Sequence, residues 1–205
     1  SGVFSALKPV ESFTAVAGGA AVVDVAIDPN DWRHVFVLDS YGHVWFSPNG
    51  DKDPSDPSAW DWQAHHYTAN LPTLAGAENL NEIAAVNING TTVLLVGGEG
   101  GLYRRILSGD VPAQWGKWTE YGVGLPNALV TSIEYVGGDD DLLIVGTLGR
   151  GAWILPNTSA TLDVPSTLTL KGTDTKNDVF YLERNAQKPW LLDVFQYLNG
   201  EDKPT

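Results

Sequence analysis

Three segments of the chain can be written one above another: HVFVLDSYGHVWFS from His34, TVLLVGGEGGLYRR from Thr92 and DLLIVGTLGRGAWIL from Asp141. Each holds an apolar run, a short turn carrying Gly42, Gly100 or Gly149, and a second apolar run containing Trp45, Tyr103 or Trp153. They read as three hairpins of one kind, because glycine supplies the positive φ that a tight turn between strands demands. The third needs a shift of one residue to align its aromatic, which is expected as a local bulge near Gly151. A phosphate-cradling loop is the competing reading of Gly146, Gly149 and Gly151. It requires a helix after the glycines, and GAWIL is strand-like.

The repeat extends beyond the hairpins. Before them lie VVDVAIDP from Val22, EIAAVNI from Glu82 and LVTSIEYV from Leu129; after the first two come WDWQAHHYTANLP from Trp60 and WGKWTEYGVGLP from Trp115. The result is four strands per unit. The central glycines are 58 residues apart (Gly42 to Gly100) and then 49 (Gly100 to Gly149), the excess being the loop SPNGDKDPSDPSAW. Four antiparallel strands recurring at roughly 40 to 50 residues predict blades of a β-propeller. The N-terminal FTAVAGGAAVVDV fits the same frame, so the chain is expected to open on the last strand of a preceding blade. Three blades fall short of the roughly four that close a ring. The missing partner is expected to be the remaining blades of a parent chain or a second copy.

IDPNDWRHVFVLDSYGHVWFSPNG, from Ile27 to Gly50, resembles a blade of the Asp-box (BNR-repeat) propellers, a group that includes sialidases, xyloglucanase-type hydrolases and sortilin-like receptors. Asp28, Pro29, Gly42, Trp45, Ser47, Asn49 and Gly50 match its pattern in order, with Asn49 standing where Asp is usual and an insertion before Trp60. The resemblance covers about residues 10 to 157. It implies a fold and not a chemistry, since Asp-box residues in that group stabilise turns.

Composition closes off several function classes. A formal charge of -13 with 12 Lys and Arg disfavours nucleic acid and anionic membrane surfaces. The chain has no cysteine, hence no disulfide, thiol nucleophile or Cys-based metal site. No stretch approaches 18 apolar residues, so no helical membrane span is expected. Without methionine, Ser1 is not a translational start, and the chain is expected to be a processed or excised product.

The C-terminal part changes character. Residues 158–165, rich in Ser, Thr and small residues, read as a linker, so the expected division is blades over 1–157 and an appendage over 158–205. STLTLKG, DVFYLER and WLLDVFQYL are strand candidates there.

Candidate chemistry is thin. His34, His43, His65 and His66 suggest no metal cluster, because adjacent histidines on a strand point to opposite faces. Asp51, Asp53 and Asp56, and Asp139 to Asp141, are loops that solvated turns explain as well as calcium does; no cofactor is expected, with calcium the one alternative. Asp24, Asp39, Glu99 and Glu120 are carboxylates from which a glycosidase pair would be drawn, but no motif selects two of them. Arg104 and Arg105 are the one adjoining arginine pair for an anionic sugar. Trp45, Trp118 and Trp153 read as core between blades. Trp32, Tyr41, Trp60 and Trp115 are the rings expected to stand on blade loops and to stack on a sugar or anchor a protein. The expected function is therefore a non-catalytic binding or scaffold module of a secreted or cell-surface protein. The alternative is part of a polysaccharide-degrading glycoside hydrolase.

Overall fold

Period-two alternation of apolar residues decides both where the strands run and how they stack. The structure is a computed structural model that describes residues 20–52, 67–107, 115–162, 178–184 and 192–198. Trp60, Trp62, His65, His66, the strand expected around Phe13 and STLTLKG lie outside the described residues.

The fold is all-β. The first sheet is antiparallel, β1 (Val22–Ile27), β2 (Val35–Asp39) and β3 (Val44–Ser47) in that order; the second is β4 (Leu80–Ile88), β5 (Thr91–Gly98), β6 (Gly101–Leu107) and β7 (Thr119–Tyr121). The third is β8 (Val130–Val136), β9 (Leu142–Thr147) and β10 (Gly151–Pro156), also in simple order. Three up-and-down sheets of three or four strands, none closed into a barrel, are consistent with partial blades. Tyr67 and Thr68 are tied to β3, where Tyr67 N donates to Val44 O at 2.8 Å and Val44 N donates to Thr68 Oγ1 at 3.0 Å.

Consecutive sheets pack face to face through their first strands, β1 against β4 and β4 against β8. In the second sheet Ile83, Leu94, Val96, Tyr103 and Trp118 face the first, where they meet Phe36, Leu38, Val44 and Phe46. The alternate residues Val86, Val93, Leu95 and Leu102 face the third and meet Val130, Ile133, Leu143 and Val145. A strand buried on both faces reads as a continuous apolar run, which is why VLLV appears in β5. Each fully buried Leu or Phe contributes roughly 1.5–3 kcal/mol through removal from water.

The repeat is exact in register across the hairpins: Val37 pairs with Trp45, Val96 with Tyr103 and Val145 with Trp153. The one-residue shift in the third hairpin is real but is not a bulge in β10. Pairing from Thr147–Gly151 to Leu142–Pro156 runs unbroken, and the turn takes the extra residue, three residues (148–150) against two (99–100). The bulges lie elsewhere, in every first strand at the same place: between Val22 and Asp24, Leu80 and Glu82, and Val130 and Ser132.

Of the three tryptophans expected in the core, Trp45 and Trp118 are 3% and 1% exposed, whereas Trp153 is 41% exposed. The third sheet shows no fourth strand among the described residues to cover it. Residues 158–162, expected to begin a linker, pack onto the sheets. Thr158 and Leu162 are fully buried, α1 (Ser159–Leu162) joins the core between the second and third sheets, and the chain divides into Ser1–Val164 and Pro165–Thr205 rather than after Asn157. In the second unit β11 (Asp178–Arg184) and β12 (Leu192–Leu198) form an antiparallel pair, at the two places where DVFYLER and WLLDVFQYL predicted strands.

Candidate functional site

Two surfaces concentrate the groups able to recognise or transform a ligand: the turns at the ends of β2, and a cleft along the first strands of the sheets.

The β1–β2 turn is built on Asp28, whose carboxylate is buried. Its Oδ1 accepts Asn30 N at 2.9 Å and the Thr92 hydroxyl at 2.7 Å, and Oδ2 lies 3.2 Å from His34 Nδ1. Asn30 Nδ2 in turn donates to Thr92 Oγ1 at 2.8 Å, so one Asp-Pro turn ties the first sheet to the second. Asp31 accepts Arg33 N and Nε at 3.1 and 2.8 Å, and this guanidinium holds the carboxyl well below the ordinary range. Between these fixed residues Trp32 projects at 65% exposure.

The β2–β3 turn is built on Asp39, fully buried. Oδ1 accepts Tyr41 N and His43 N, each at 2.9 Å; Oδ2 accepts the Trp45 indole N–H at 2.8 Å and lies 3.1 Å from His43 Nδ1. Tyr41 stands on this turn at 61% exposure, its ring edge-to-face with that of His43 at a centroid distance of 6.1 Å. Trp32 and Tyr41 therefore occupy opposite ends of a five-residue strand, about 17 Å apart along it at 3.3–3.4 Å per residue. They form two separate surfaces.

Trp115, the third described ring of the expected binding set, lies elsewhere again. It is half-buried, with ring centroids 6.2 Å from Phe36 and 5.2 Å from both Phe46 and Tyr67, and the Arg105 guanidinium 5.6 Å above it. It belongs to the aromatic core of the first two sheets and not to a loop surface.

The cleft, of ≈ 490 Å³, runs across β1, β4 and β8 and is lined by Asp24, Glu82, Glu134 and Tyr135 among apolar residues. Asp24 Oδ2 accepts Ile83 N at 2.8 Å and Oδ1 accepts its neighbour Val25 N at 2.8 Å; Glu82 accepts Ile133 N in the same way one sheet on. The bulge in each first strand creates this arrangement by turning the following residue toward the next sheet. Burial raises the Glu82 carboxyl, the Asp24 charge adds to it, the Ile133 N–H opposes, and Glu134 raises it further. The repeat alignment alone places Glu82 opposite Asp24, and that is the signal that would have picked it out.

The carboxylates considered as a catalytic pair do not assemble. Asp24 is in the cleft, Asp39 is sealed in its turn, Glu99 accepts Asn79 Nδ2 at 3.1 Å on the β5–β6 turn, and Glu120 is exposed on β7. The adjoining arginines point to opposite faces of β6. Arg104 donates to the carbonyls of Thr161 and Leu162 (2.6 Å to the latter), holding α1, while Arg105 donates to Gly116 O at 2.8 Å and Tyr67 O at 2.6 Å. Burial lowers the Arg105 pKa, and each guanidinium is engaged by backbone carbonyls.

Asp141 also has a structural employment. Burial pushes its carboxyl up, but Ser159 N and Oγ, each at 2.8 Å, and the Tyr135 hydroxyl at 3.1 Å outweigh that and leave it lowered. Asp139 and Asp140 are exposed beside it. Among the described residues no three His, Asp or Glu side chains gather as metal ligands, and no helix is long and apolar enough to cross a membrane. Comparisons with family models, with curated proteins and with solved structures return no match for this chain.

Proposed function

We propose that this chain is a non-catalytic binding and scaffold module of the Asp-box propeller type, working in a secreted or cell-surface protein and recognising a glycan or protein through aromatic rings on its blade turns. The observation that carries this reading is the contrast between its charged and aromatic groups. Asp28, Asp39, Asp141, Arg104 and Arg105 are spent on turns and on contacts between sheets. Trp32 and Tyr41, by contrast, stand exposed on turns already fixed by buried carboxylates. A large ring on a preorganised turn offers contact area at little entropic cost. Trp60, which lies outside the described residues, is the third candidate ring.

The hydrolase reading draws on one specific observation, the raised Glu82 carboxyl beside Asp24 in the cleft. The scaffold reading is favoured because both Asp24 oxygens and Glu82 already accept backbone N–H groups. A glycan array with the wild-type chain, followed by Trp32→Ala, Tyr41→Ala and Trp60→Ala, separates the two. Binding without turnover, lost in at least one aromatic variant, supports the module. Reducing-end release that Glu82→Gln abolishes overturns it.

A further inference from the structure

We infer that the open edge of β10 and the apolar groove beside it form a docking site for an extended segment of a partner protein, which pairs with β10 as a fourth strand and seats a tryptophan or phenylalanine ring in the groove. The site belongs to the third sheet, and it stands whether or not Trp32 and Tyr41 on the first sheet bind a ligand.

The exposure of β10 is the first observation. All six of its residues are exposed, whereas Leu102 to Arg105 of its counterpart β6 are buried on both faces. The end of the stack accounts for Ala152 and Ile154. It does not account for Trp153 and Leu155, at 41% and 38% exposure, because they pair with Val145 and Leu143 and share the face that those two bury against the second sheet. The equivalent Tyr103 and Arg105 are 0% and 6% exposed. β6 differs in having β7 on its far edge, with Leu102 opposite Tyr121 and Arg104 opposite Thr119; among the described residues β10 has β9 alone. An exposed edge of this kind is a template for one more strand.

The groove dictates what that strand carries. It measures ≈ 130 Å³ and is lined by Leu102, Tyr121, Leu143, Val145 and Trp153. One repeat earlier the counterparts are Val44, Tyr67, Leu94, Val96 and Tyr103, and these five pack in one core cluster with Trp118, the residue just before β7. The first interface between sheets is therefore filled by a ring delivered from a fourth strand, and the groove is the space that the same walls leave in the second. Its volume is comparable with the roughly 150 Å³ apolar cavity that holds one benzene molecule. Trp118 is held through its ring and its backbone. Its indole N–H has no hydrogen-bond partner among the described residues, while Trp118 N donates to Asn70 Oδ1 and Asn70 Nδ2 to Trp118 O, each at 2.9 Å. The position equivalent to Asn70 is Gly124, where a Cβ would meet nothing within 4 Å, so the mouth of the groove is open to an incoming backbone. A ring-bearing strand on β10 thus continues an interface that the chain has already built once.

The probe is the peptide of residues 115–121, WGKWTEY, which supplies the ring at the equivalent seat, titrated into the isotope-labelled 205-residue chain and followed by NMR. Backbone amide shifts are expected in β10 and in residues 122–124. The same peptide with Trp118→Ala is expected to bind at least about tenfold more weakly, through loss of one buried ring. Leu155→Glu in the chain is expected to weaken the parent peptide by a similar factor with an unchanged far-UV spectrum. No binding up to millimolar peptide refutes the inference, as does equal affinity of the Trp118→Ala peptide, or shifts confined to the first two sheets. Protection of β10 amides from hydrogen exchange before peptide is added also refutes it, because the edge is then occupied by the chain itself or by a second copy. The peptide comparison needs no variant of the chain, so it decides the matter even where Leu155→Glu unfolds. None of these outcomes touches glycan binding by Trp32 or Tyr41, so the two proposals fail separately.

Discussion

Removing the Asp39 carboxylate should unfasten the first hairpin from within, and the size of the effect can be worked from its partners. Four donors converge on it, at 2.9, 2.9, 2.8 and 3.1 Å, from Tyr41 N, His43 N, Trp45 Nε1 and His43 Nδ1. In Asp39→Ala the two backbone N–H groups and the imidazole, all near the turn surface, turn to water at a modest loss. The indole N–H of Trp45, 3% exposed, has less access to water. A stranded buried donor costs about 1–3 kcal/mol and each lost hydrogen bond to a charged group about 1.5–3, so a net loss of about 4 kcal/mol is expected after solvent compensation. At about 2–4 °C per kcal/mol for a unit of this size, the melting temperature should fall by about 8–16 °C. Thermal unfolding followed by near-ultraviolet circular dichroism and tryptophan fluorescence reads this directly. Asp39→Asn, which keeps an acceptor for the backbone pair but sets an amide against the indole and imidazole, should fall between. In a Trp45→Phe background the Asp39→Ala effect should shrink by about 1–2 kcal/mol, the coupling expected of groups in contact. A variant Asp39→Ala melting within about 2 °C of wild type, a change worth less than one surface substitution in many proteins, refutes the reasoning.

Three further outcomes are expected. Arg105→Lys should destabilise by about 2 kcal/mol in urea unfolding, because a single ammonium does not reproduce the guanidinium fork on Gly116 O and Tyr67 O or its stacking on Trp115. Gly100→Ala should destabilise far more than Gly149→Ala: a Cβ at Gly100 would lie 2.1 Å from Gly76 O, whereas at Gly149 it meets nothing within 4 Å and only the positive φ of 74° is strained, at about 1 kcal/mol. The folded-state pKa of Glu82 lies above its unfolded value of about 4.5, so its contribution is present below that pH and is lost as pH rises through the folded value. Glu82→Gln should accordingly leave the melting temperature unchanged at pH 4 and raise it slightly at pH 7; an equal shift at both pH values, read by thermal scans, contradicts the assignment.

Repeats and turns are legible in this chain because they depend on local chemistry. A glycine at each turn, an aromatic three or four residues later and apolar runs on either side specify hairpins whatever surrounds them, and the pairings Val37–Trp45, Val96–Tyr103 and Val145–Trp153 follow. The same local view missed that residues 158–162 pack onto the sheets, since nothing in the sequence around Leu162 shows the core space that receives it or the Arg104 contact to its carbonyl. It also set Trp115 out on a loop surface, whereas Phe36 and Phe46 of the first sheet and the Arg105 guanidinium of the second pack against its half-buried ring.

The site shows the same division more sharply. Sequence alone determined which residues carry charge and rings; the repeat also sets Glu82 at the position equivalent to Asp24, although Glu82 was not among the candidate carboxylates. Only the stacking of the sheets decided that those carboxylates bind the backbone of the next sheet, that Arg104 and Arg105 reach in opposite directions, and that Trp153 and Ile154 remain in water. The reason is that periodicity assigns a side chain to a face of its strand, whereas burial and hydrogen bonding depend on what lies across that face: another repeat for Ile83 and Ile133, α1 for Arg104, and water for Ile154.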